Sequence, residues 1–363
     1  MAYDIAVIGA GVFGAWCAHF FRAAGLSVVL VEQHSPGNAL SSSGGESRII
    51  RMSYGGDEIY TRMAWRSLEL WRALFAATGD DLFVPTGVLW LARREEAGAS
   101  ASEATLARLG IQAERLDAEE LRRRFPQISF AGIDWGLYEP GSGVLMARRA
   151  VAAVARAAVR NGAAYKSAAV VPPAGQSASG RLASIQTLNG DSIAAGEFVF
   201  CCGAWLPGVF PDVLGSRMFI TRQEVFFFGT PAGDTSFRPP QFPTWLEMSA
   251  GMYGMPDLEG RGAKLALDSH GPLMDPDRDE RAPSAAALQL ARDYLHNRFP
   301  RLRNAPLAEA RVCQYENTSS GDFIIDRHPR HENLWMVGGG SGHGFKHGPA
   351  VGEYVAGLIA GER

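Results

Sequence analysis

The chain has 363 residues, of which 47% are hydrophobic and 20% charged, and its formal net charge is −3. This composition is typical of a globular protein with room for two domains, and the lack of basic or acidic blocks argues against nucleic acid or an anionic membrane as partner. Apolar runs stay short of the roughly 18 residues of a membrane span, and the first strand begins too early for a signal peptide. We therefore expect a cytoplasmic protein that acts on a small molecule.

The first 32 residues carry a nucleotide-binding pattern. A strand over residues 5–8 leads into a glycine motif made of Gly9, Gly11 and Gly14, which opens a helix. The first glycine allows a tight turn, the second lets the backbone approach a pyrophosphate, and the third lets helix and strand pack closely. A second buried strand ends at Glu32, where an acid would bind a ribose hydroxyl. The pattern predicts a dinucleotide site, with the helix N-terminus facing the phosphates, but it does not distinguish FAD from NAD.

The middle of the chain alternates helical and strand-like patterns. Apolar spacing predicts a helix over residues 59–78, and an alanine-rich apolar run ended by Asn161-Gly162 predicts another over residues 147–160. A capping box at Asp117 predicts a short helix. Residues 198–202 form a strand that meets Gly203, a second strand-to-glycine junction where a nucleotide could lie. The four cysteines show neither disulfide nor metal spacing, so no metal site is predicted, and the adjacent pair in this strand is expected to be core rather than a redox pair.

The second half of the chain changes character twice. Residues 217–268 contain long β-rich runs separated by proline and glycine, which predicts a separate antiparallel sheet closed by a helix over residues 284–299. The last fifty residues return to an α/β pattern, with strands over 311–315, 323–326 and 334–337. The third of these strands runs into a second glycine-rich junction, followed by a helix to about residue 360.

Lysine is rare in this sequence. Only three of the 35 basic residues are lysine, namely Lys166, Lys264 and Lys346. An ammonium group and a guanidinium group differ chemically, so a site that needs an ammonium would keep a lysine. For each of the three, chance retention and a chemical requirement are both open.

Several of these features together resemble the monomeric sarcosine oxidase family of FAD-dependent amine oxidases. They are the N-terminal glycine motif with Glu32, the run Ser-Arg-Ile-Ile-Arg at 47–51, Cys313 ten residues before the strand at 323–326, and the run Ser-Gly-His-Gly-Phe-Lys at 341–346. The resemblance spans the whole chain. The C-terminal run and its spacing from the cysteine are specific, whereas the glycine motif is shared by many nucleotide-binding families.

The resemblance implies an α/β plus α+β fold with two domains. A Rossmann-like FAD-binding domain would be assembled from residues 1–84, 140–210 and 310–363. An inserted, mainly antiparallel β-sheet domain, made of residues 85–139 and 211–309, would bind the substrate and cover the flavin.

The resemblance also implies how FAD is held. The cysteine that carries the flavin through a thioether in the family corresponds to Cys313, and its helper arginine to Arg48, but the family's helper histidine is Gly44 here. Covalent attachment through Cys313 and a buried, unreacted thiol are therefore both open. The resemblance assigns the following residues to cofactor binding: Gly9, Gly11, Gly14, Glu32, Ser42, Ser43, Arg48, Cys313, Gly340, Gly342, Gly344 and Lys346.

The substrate site implied by the resemblance combines cations with aromatic residues. Arg51 and Lys346 match the pair that binds a substrate carboxylate, while solvated positions are the alternative for both. Tyr253 matches a pocket aromatic, and Asp268 replaces the family's pocket histidine, so the preferred substrate is expected to differ from sarcosine. The catalytic residues implied are Lys264, which would favour electron transfer to dioxygen, together with Arg48 and Tyr315.

Three functions are compatible with the sequence. The first is an oxidase of small N-methyl or N-alkyl amino acids that forms an imine and hydrogen peroxide, acting as a monomer on its amino acid and dioxygen. The second is a related FAD dehydrogenase or deaminase that uses another electron acceptor. The third is a flavin-binding protein without catalytic activity, against which the retained Arg51, Lys264 and Lys346 argue.

Overall fold

The computed structural model describes residues 2–173 and 180–361. Within this part of the chain, the helices are α1 Val12–Ala23, α2 Glu58–Thr78, α3 Ala97–Arg108, α4 Ala118–Arg124, α5 Ala147–Arg160, α6 Leu206–Val209, α7 Pro211–Leu214, α8 Ala285–Arg298 and α9 Gly348–Ala360. The strands are β1 Tyr3–Ile8, β2 Val28–Glu32, β3 Arg48–Ile50, β4 Phe83–Val84, β5 Val88–Ala92, β6 Glu114–Asp117, β7 Trp135–Glu139, β8 Gly143–Leu145, β9 Ala164–Ser167, β10 Ser184–Gln186, β11 Ser192–Phe200, β12 Met218–Phe228, β13 Thr244–Glu247, β14 Met252–Met255, β15 Ala263–Leu267, β16 Leu307–Thr318, β17 Ile324–His328 and β18 His331–Gly338.

A seven-stranded sheet combines strands from the N-terminal and C-terminal parts of the described chain. Its order is β17-β18-β11-β1-β2-β9, with β10 paired to β11, and β1 lies parallel to both β2 and β11. The central strands are continuous apolar runs because both faces of a parallel sheet are buried. Ile5 and Leu30 pack on the side of α1, α5 and α9, whereas Ala6 and Val29 pack on the opposite side.

Helices α1 and α9 pack closely on one face of this sheet. A Cβ atom at Gly348 would lie 2.5 Å from Val12, and one at Gly352 would lie 2.7 Å from the backbone of Trp16. Only glycine allows this approach, because a larger residue would push the two helices apart. The N-terminal and C-terminal parts of the chain are thereby joined beside the glycine motif.

An eight-stranded sheet forms the second layer, in the order β16-β12-β15-β14-β13-β5-β7-β6. All of its pairs are antiparallel except that of β13 with β5. Phe226 and Phe228 of β12 pack on the side of α8, while Val225 and Phe227 point to the other face, near Tyr253. The predicted mixture of α/β and mainly antiparallel architecture is confirmed, and the domain boundaries given above stay a prediction.

The helix predictions can be compared with the structure directly. Helices α2 and α5 cover the predicted residues, and the Asp117 side chain accepts hydrogen bonds from the Glu119 and Glu120 amides at 2.8 and 2.9 Å, which confirms the capping box. Helix α3 was not predicted, because Leu106 is the one large residue on its buried face. Among the described residues, no helix is both long and apolar enough to cross a membrane.

Candidate active site

Two adjacent cavities lie between the two large sheets. The larger has a volume of about 440 Å³ and the smaller about 380 Å³. Their linings share Arg48, Tyr315, Gly342 and Phe345. A ligand in the larger cavity can therefore contact a second molecule in the smaller one at this shared wall.

The glycine motif forms one end of the larger cavity. Gly9 has a φ of 98°, and a Cβ atom there would lie 2.4 Å from the Cys201 carbonyl oxygen, so the tight turn requires glycine. A Cβ atom at Gly14 would lie 1.9 Å from the Gly9 oxygen, whereas at Gly11 the nearest neighbour would be the Ser43 hydroxyl at 3.4 Å. Gly9 and Gly11 line the cavity and Gly14 packs behind them, which is the division of roles expected of a dinucleotide-binding turn.

The acid at the end of β2 lies beside this turn. Glu32 lines the larger cavity, and its carboxylate accepts hydrogen bonds from the Ala10 amide at 2.8 Å and the His34 amide at 3.0 Å. The Ser43 hydroxyl accepts a hydrogen bond from the Val12 amide at 3.0 Å, at the first residue of α1. These contacts fix the turn and the carboxylate in the position predicted for binding ribose and pyrophosphate.

The C-terminal glycines form the other end of the larger cavity. Gly340, Gly342 and Gly344 all line it, and a Cβ atom at Gly342 would lie 2.7 Å from the Tyr315 ring. The sequence predicted a helix directly after Gly344, but the chain first makes a short 3₁₀ turn, Gly344–His347, and α9 begins at Gly348.

Glu316 is a cavity residue that the sequence analysis missed. Its carboxylate lines the larger cavity and accepts a hydrogen bond from the Ser42 hydroxyl at 2.6 Å, and burial raises its pKa. The residue stands next to Tyr315 in β16, but its sequence position alone gave no sign that it would meet Ser42.

Cys313 lies in the wall of the smaller cavity, next to Arg48. A guanidinium nitrogen of Arg48 is 3.3 Å from the Cys313 sulfur and 2.7 Å from the Ser42 carbonyl oxygen. At Gly44, a Cβ atom would lie 1.9 Å from the Asn38 carbonyl oxygen, so this loop conformation has no room for any side chain at the position of the family's histidine.

Arg51 and Lys346 both line the smaller cavity and both contact Tyr54. The Arg51 guanidinium lies between the Tyr54 and Trp90 rings, 4.5 and 4.8 Å from their centroids. The Lys346 ammonium donates to the Tyr54 hydroxyl at 2.8 Å and to the His343 carbonyl oxygen at 3.0 Å. Burial, and then the charge of Arg51, lower the pKa of Lys346 well below its usual value. An anion bound between the two cations would relieve this repulsion.

The backbone that carries each cation is held from behind. The buried carboxylate of Glu139 accepts a hydrogen bond from the Met52 amide at 2.7 Å, one residue after Arg51. The Trp71 indole in α2 donates to the Lys346 carbonyl oxygen at 3.1 Å. Both cations are therefore placed by rigid elements rather than by free surface loops.

Tyr54 is the centre of a hydrogen-bond network that the sequence analysis did not identify. Its hydroxyl lies 2.7 Å from His347 Nε2 and 3.3 Å from His343 Nδ1. His343 Nε2 lies 3.0 Å from the Gly321 carbonyl oxygen and must carry a proton to bond it. His343 Nδ1 is then an acceptor for Tyr54, whose oxygen accepts from Lys346. Tyr54 and His343 are 289 positions apart, so only the fold brings them together.

Tyr253, Tyr315 and Asp268 line the opposite side of the smaller cavity. They come from or directly follow β14, β16 and β15, which are strands of the antiparallel sheet. The Tyr315 hydroxyl is 3.5 Å from an Asp268 oxygen. Burial raises the pKa of Tyr253 to about 12, and it raises the pKa of Tyr315 as well, so both phenols stay protonated near neutral pH.

Lys264 lies behind this wall. In the described part of the chain it lines neither cavity, and its ammonium donates to the Ser47 carbonyl oxygen at 3.0 Å. Burial, and then the neighbouring charge of Arg48, lower the pKa of Lys264 well below its usual value. Lys264 thus lies against Ser47, the residue before Arg48 of the shared wall. It is held beside Arg48 and is not in the cavity lining that a ligand would contact.

Comparison with known proteins identifies relatives of this chain. The sequence matches the family described as FAD dependent oxidoreductase over residues 4–358. It is 33% identical over 362 residues to a monomeric sarcosine oxidase of Streptomyces avermitilis, covering 98% of this chain and 93% of the relative. It is 30% identical over 367 residues to an N-methyl-L-tryptophan oxidase of Salmonella agona, covering 100% of this chain and 96% of the relative.

Solved structures show the same fold. An L-proline dehydrogenase from P. horikoshii matches with a TM-score of 0.86 and 23% identity, covering 100% of this chain and 94% of the other. A glycine oxidase from Geobacillus kaustophilus matches with a TM-score of 0.81 and 21% identity, covering 99% and 95%. The Rossmann-like fold predicted for the cofactor-binding part is confirmed.

The chain belongs to the FAD-dependent oxidoreductase family. Its sarcosine oxidase-like sequence makes it an FAD-dependent amine oxidoreductase. The larger cavity fits this cofactor, since the turn at Gly11 is open to it and Glu32 stands at the end of β2, where an acid would bind a ribose hydroxyl.

Proposed function

We propose that the protein oxidises the C–N bond of a small secondary amino acid, with an N-methyl or N-alkyl group, to an imine, and that dioxygen is reduced to hydrogen peroxide. The observation that carries this proposal is the convergence of Arg51 and Lys346 in the smaller cavity, which shares a wall with the cofactor cavity. Two cations that hold one carboxylate orient the α carbon relative to that wall.

Each protein group then has a definite role. FAD, when bound, accepts the equivalent of a hydride from the substrate. Arg51 and Lys346 bind the carboxylate, while Tyr253 and Tyr315 close the opposite side and exclude water. The amine loses one proton and the α carbon loses a hydride, so the product is an imine that water hydrolyses outside the site. The N-terminal end of α9 supplies a positive potential near the shared wall.

We further propose that Cys313 carries the flavin through a thioether. The support is the 3.3 Å contact between Arg48 and the Cys313 sulfur, which brings together the residues that match the family's cysteine and its helper arginine. The backbone at Gly44 leaves no space for a helper histidine, so Arg48 would act without it. We also propose, from the sequence, that the protein acts as a cytoplasmic monomer.

A dehydrogenase using another electron acceptor is the second candidate. The observation that favours it is the position of Lys264, whose ammonium is engaged by Ser47 and which lines neither cavity in the described part of the chain. If this lysine cannot act on dioxygen, the reduced enzyme would need a different oxidant.

A peroxide-release screen across N-methyl, cyclic and primary amino acids tests the proposal. We expect peroxide and an equal amount of carbonyl product from at least one secondary amino acid under air. Loss of flavin colour under nitrogen, with turnover supported by an artificial dye but no peroxide under air, would establish the dehydrogenase. Failure of every amine to bleach the flavin would contradict both activities and favour a non-catalytic flavoprotein.

A further inference from the structure

The smaller cavity carries charges of both signs. Besides its cations, its wall includes the carboxylates of Asp57, Glu224, Asp268 and Asp322. Glu224 is paired with Arg222 at 2.7 Å, and Asp322 accepts a hydrogen bond from Tyr60 at 2.7 Å. Two of the four carboxylates are thus engaged by protein groups.

Asp57 and Asp268 differ from those two in their partners. Asp57 is exposed at the rim, whereas Asp268 is partly buried. Among the described residues, no cationic group lies within ion-pair distance of Asp268, and the Tyr315 hydroxyl at 3.5 Å is its one side-chain hydrogen-bond partner. Lys346 in the same cavity lies near enough for the Asp268 charge to raise its pKa, but it forms no ion pair with Asp268. The Asp268 carboxylate can therefore still accept a cation from a ligand.

We infer that the Asp268 carboxylate binds the protonated amine of the substrate, so that the amino acid enters as a zwitterion held at both ends. The ammonium then gives up one proton, for which the Asp268 carboxylate is the neighbouring acceptor, and the uncharged amine is the form that is oxidised. The inference rests on the proposed function, because it takes the substrate carboxylate to lie on Arg51 and Lys346. It explains how the cavity would distinguish an amino acid, whose amine is protonated near neutral pH, from a simple carboxylic acid.

The position of Asp268 relative to the shared wall supports this assignment. Tyr315 belongs to the linings of both cavities, and Asp268 is the hydrogen-bond neighbour of its hydroxyl. Asp268 therefore lies close to where the reacting end of a substrate would meet the cofactor. Its backbone amide is fixed to the Gly251 carbonyl oxygen at 2.8 Å, which holds the residue at the end of β15.

The selectivity follows from desolvation. A ligand that fills the cavity removes water from Asp268, and a carboxylate that loses water without gaining a partner is destabilised. A ligand with an ammonium group supplies the partner, whereas an uncharged ligand of the same shape does not. Asp268 would therefore reject simple carboxylic acids that Arg51 and Lys346 alone would accept.

Two ligands that differ in one atom test the inference on the purified holoenzyme. Trimethylammonioacetate carries a quaternary nitrogen where 3,3-dimethylbutanoate carries carbon, and the quaternary nitrogen has no lone pair with which to form an imine. Titration calorimetry gives both dissociation constants. We expect the charged ligand to bind at least about tenfold more tightly, which corresponds to about 1.4 kcal/mol.

In Asp268→Asn, we expect this preference to fall to within about twofold, because the neutral amide keeps the shape but not the charge. Asp268→Glu should keep the preference, and Asp57→Asn, which neutralises the exposed rim carboxylate, should leave it at the wild-type ratio. A wild-type ratio near one, or a ratio that survives Asp268→Asn, would overturn the inference.

The variant Arg51→Ala distinguishes failure of the Asp268 inference from failure of the proposed function. If it weakens both ligands while Asp268→Asn leaves the ratio intact, the carboxylate site stands and only the role of Asp268 is wrong. If it changes neither affinity, the carboxylate site itself is wrong, and the proposed function falls with the inference.

Discussion

Lys346 is a buried ammonium next to a second cation, an arrangement that is costly unless an anion joins it. Its side chain is held by Tyr54 and His343, and Arg51 is stacked between two rings, so neither cation can move away from the other. Pre-placed charges of this kind bind an anion with little loss of side-chain entropy. The repulsion between the two cations in the ligand-free state therefore favours the binding of an anion.

The carboxylate site yields the first prediction at this scale. Arg51→Ala or Lys346→Ala should each weaken the binding of carboxylate inhibitors by about 1.5–3 kcal/mol, the usual contribution of a hydrogen bond to a charged group. Inhibitor titration monitored by the flavin spectrum measures this effect. Lys166→Ala is the control, because that lysine lines neither cavity in the described part of the chain and is paired with Asp191 at 3.7 Å. Unchanged affinity in both cavity variants would place the carboxylate elsewhere.

Cys313 yields the second prediction. A thioether survives denaturation, so yellow colour should stay with acid-precipitated wild-type protein and move to the supernatant for Cys313→Ser. Cys202→Ser is a matched control, since Cys202 lines the larger cavity but lies away from Arg48, and it should behave as wild type. A colourless wild-type pellet would show that the flavin is held without a covalent bond.

Lys264 yields the third prediction at the residue scale. Its lowered pKa means that it is protonated most readily when negative charge develops nearby, as happens when dioxygen takes up electrons. Lys264→Met should therefore leave anaerobic flavin reduction by substrate within about tenfold, a barrier change of about 1.4 kcal/mol. Aerobic reoxidation should slow by several orders of magnitude. Stopped-flow measurement of both half-reactions checks this, and equal slowing of the two would favour the dehydrogenase.

At the scale of elements, the contact between α1 and α9 depends on two glycines with different surroundings. A Cβ atom at Gly352 would lie 2.7–2.9 Å from Trp16, whereas one at Gly357, in the same helix, would have no neighbour within 4 Å. Gly352→Ala should destabilise the protein by about 1–3 kcal/mol through overpacking. Gly357→Ala should stabilise it by about 0.5–1 kcal/mol through helix propensity. Urea unfolding distinguishes the two, and equal effects would contradict the close packing.

Elements with strong local signals could be predicted from the sequence. Helix α5 was predicted because Asn161-Gly162 ends an alanine-rich apolar run, and α4 because its capping box is local. Helix α3 lacks such signals, since small and polar residues fill most of its buried face. The 3₁₀ turn before α9 was also missed, because glycines permit either geometry there.

The same distinction applies to the site. The glycine motif and Glu32 lie within one short segment, so their relation could be inferred from spacing. The approach of Tyr54 to His347 and of Ser42 to Glu316 joins residues 293 and 274 positions apart. No local pattern encodes such pairs. The partial burial of Asp268, and its lack of an ion-pair partner among the described residues, likewise become visible only once the surrounding strands are in place.

At the scale of the whole molecule, buried histidines predict how stability depends on pH. Burial lowers the pKa of His328 and of His343 from 6.5 to about 4. Below pH 6.5 these two histidines therefore bind protons in the unfolded chain, whereas in the folded protein they bind protons only at about pH 4. Folding stability is fully present above pH 6.5 and declines as the pH falls through this window, by roughly 2–3 kcal/mol for each group.

The measurement is the urea midpoint of the holoenzyme between pH 7 and pH 5, a range in which most carboxylates stay ionised. The midpoint should fall with acidification. His328→Asn, which keeps an acceptor for the Arg330 amide that bonds His328 at 3.2 Å, should show a shallower fall. A midpoint that is flat from pH 7 to pH 5 would mean that these histidines titrate normally in the folded state.

Strands from the early and late parts of the chain share one sheet, and this has a consequence for biosynthesis. Strand β18 pairs with β11, and α9 packs on α1, so elements made late complete a layer begun by the first strand. While the ribosome is still making the antiparallel sheet, Trp16 of α1 can pack on Trp71 of α2, but the part of α1 that approaches Gly348 and Gly352 has no partner yet. The nascent chain must keep the uncovered part of this surface out of wrong contacts until α9 is made, and a chain cut short before α9 would leave α1 without this packing partner.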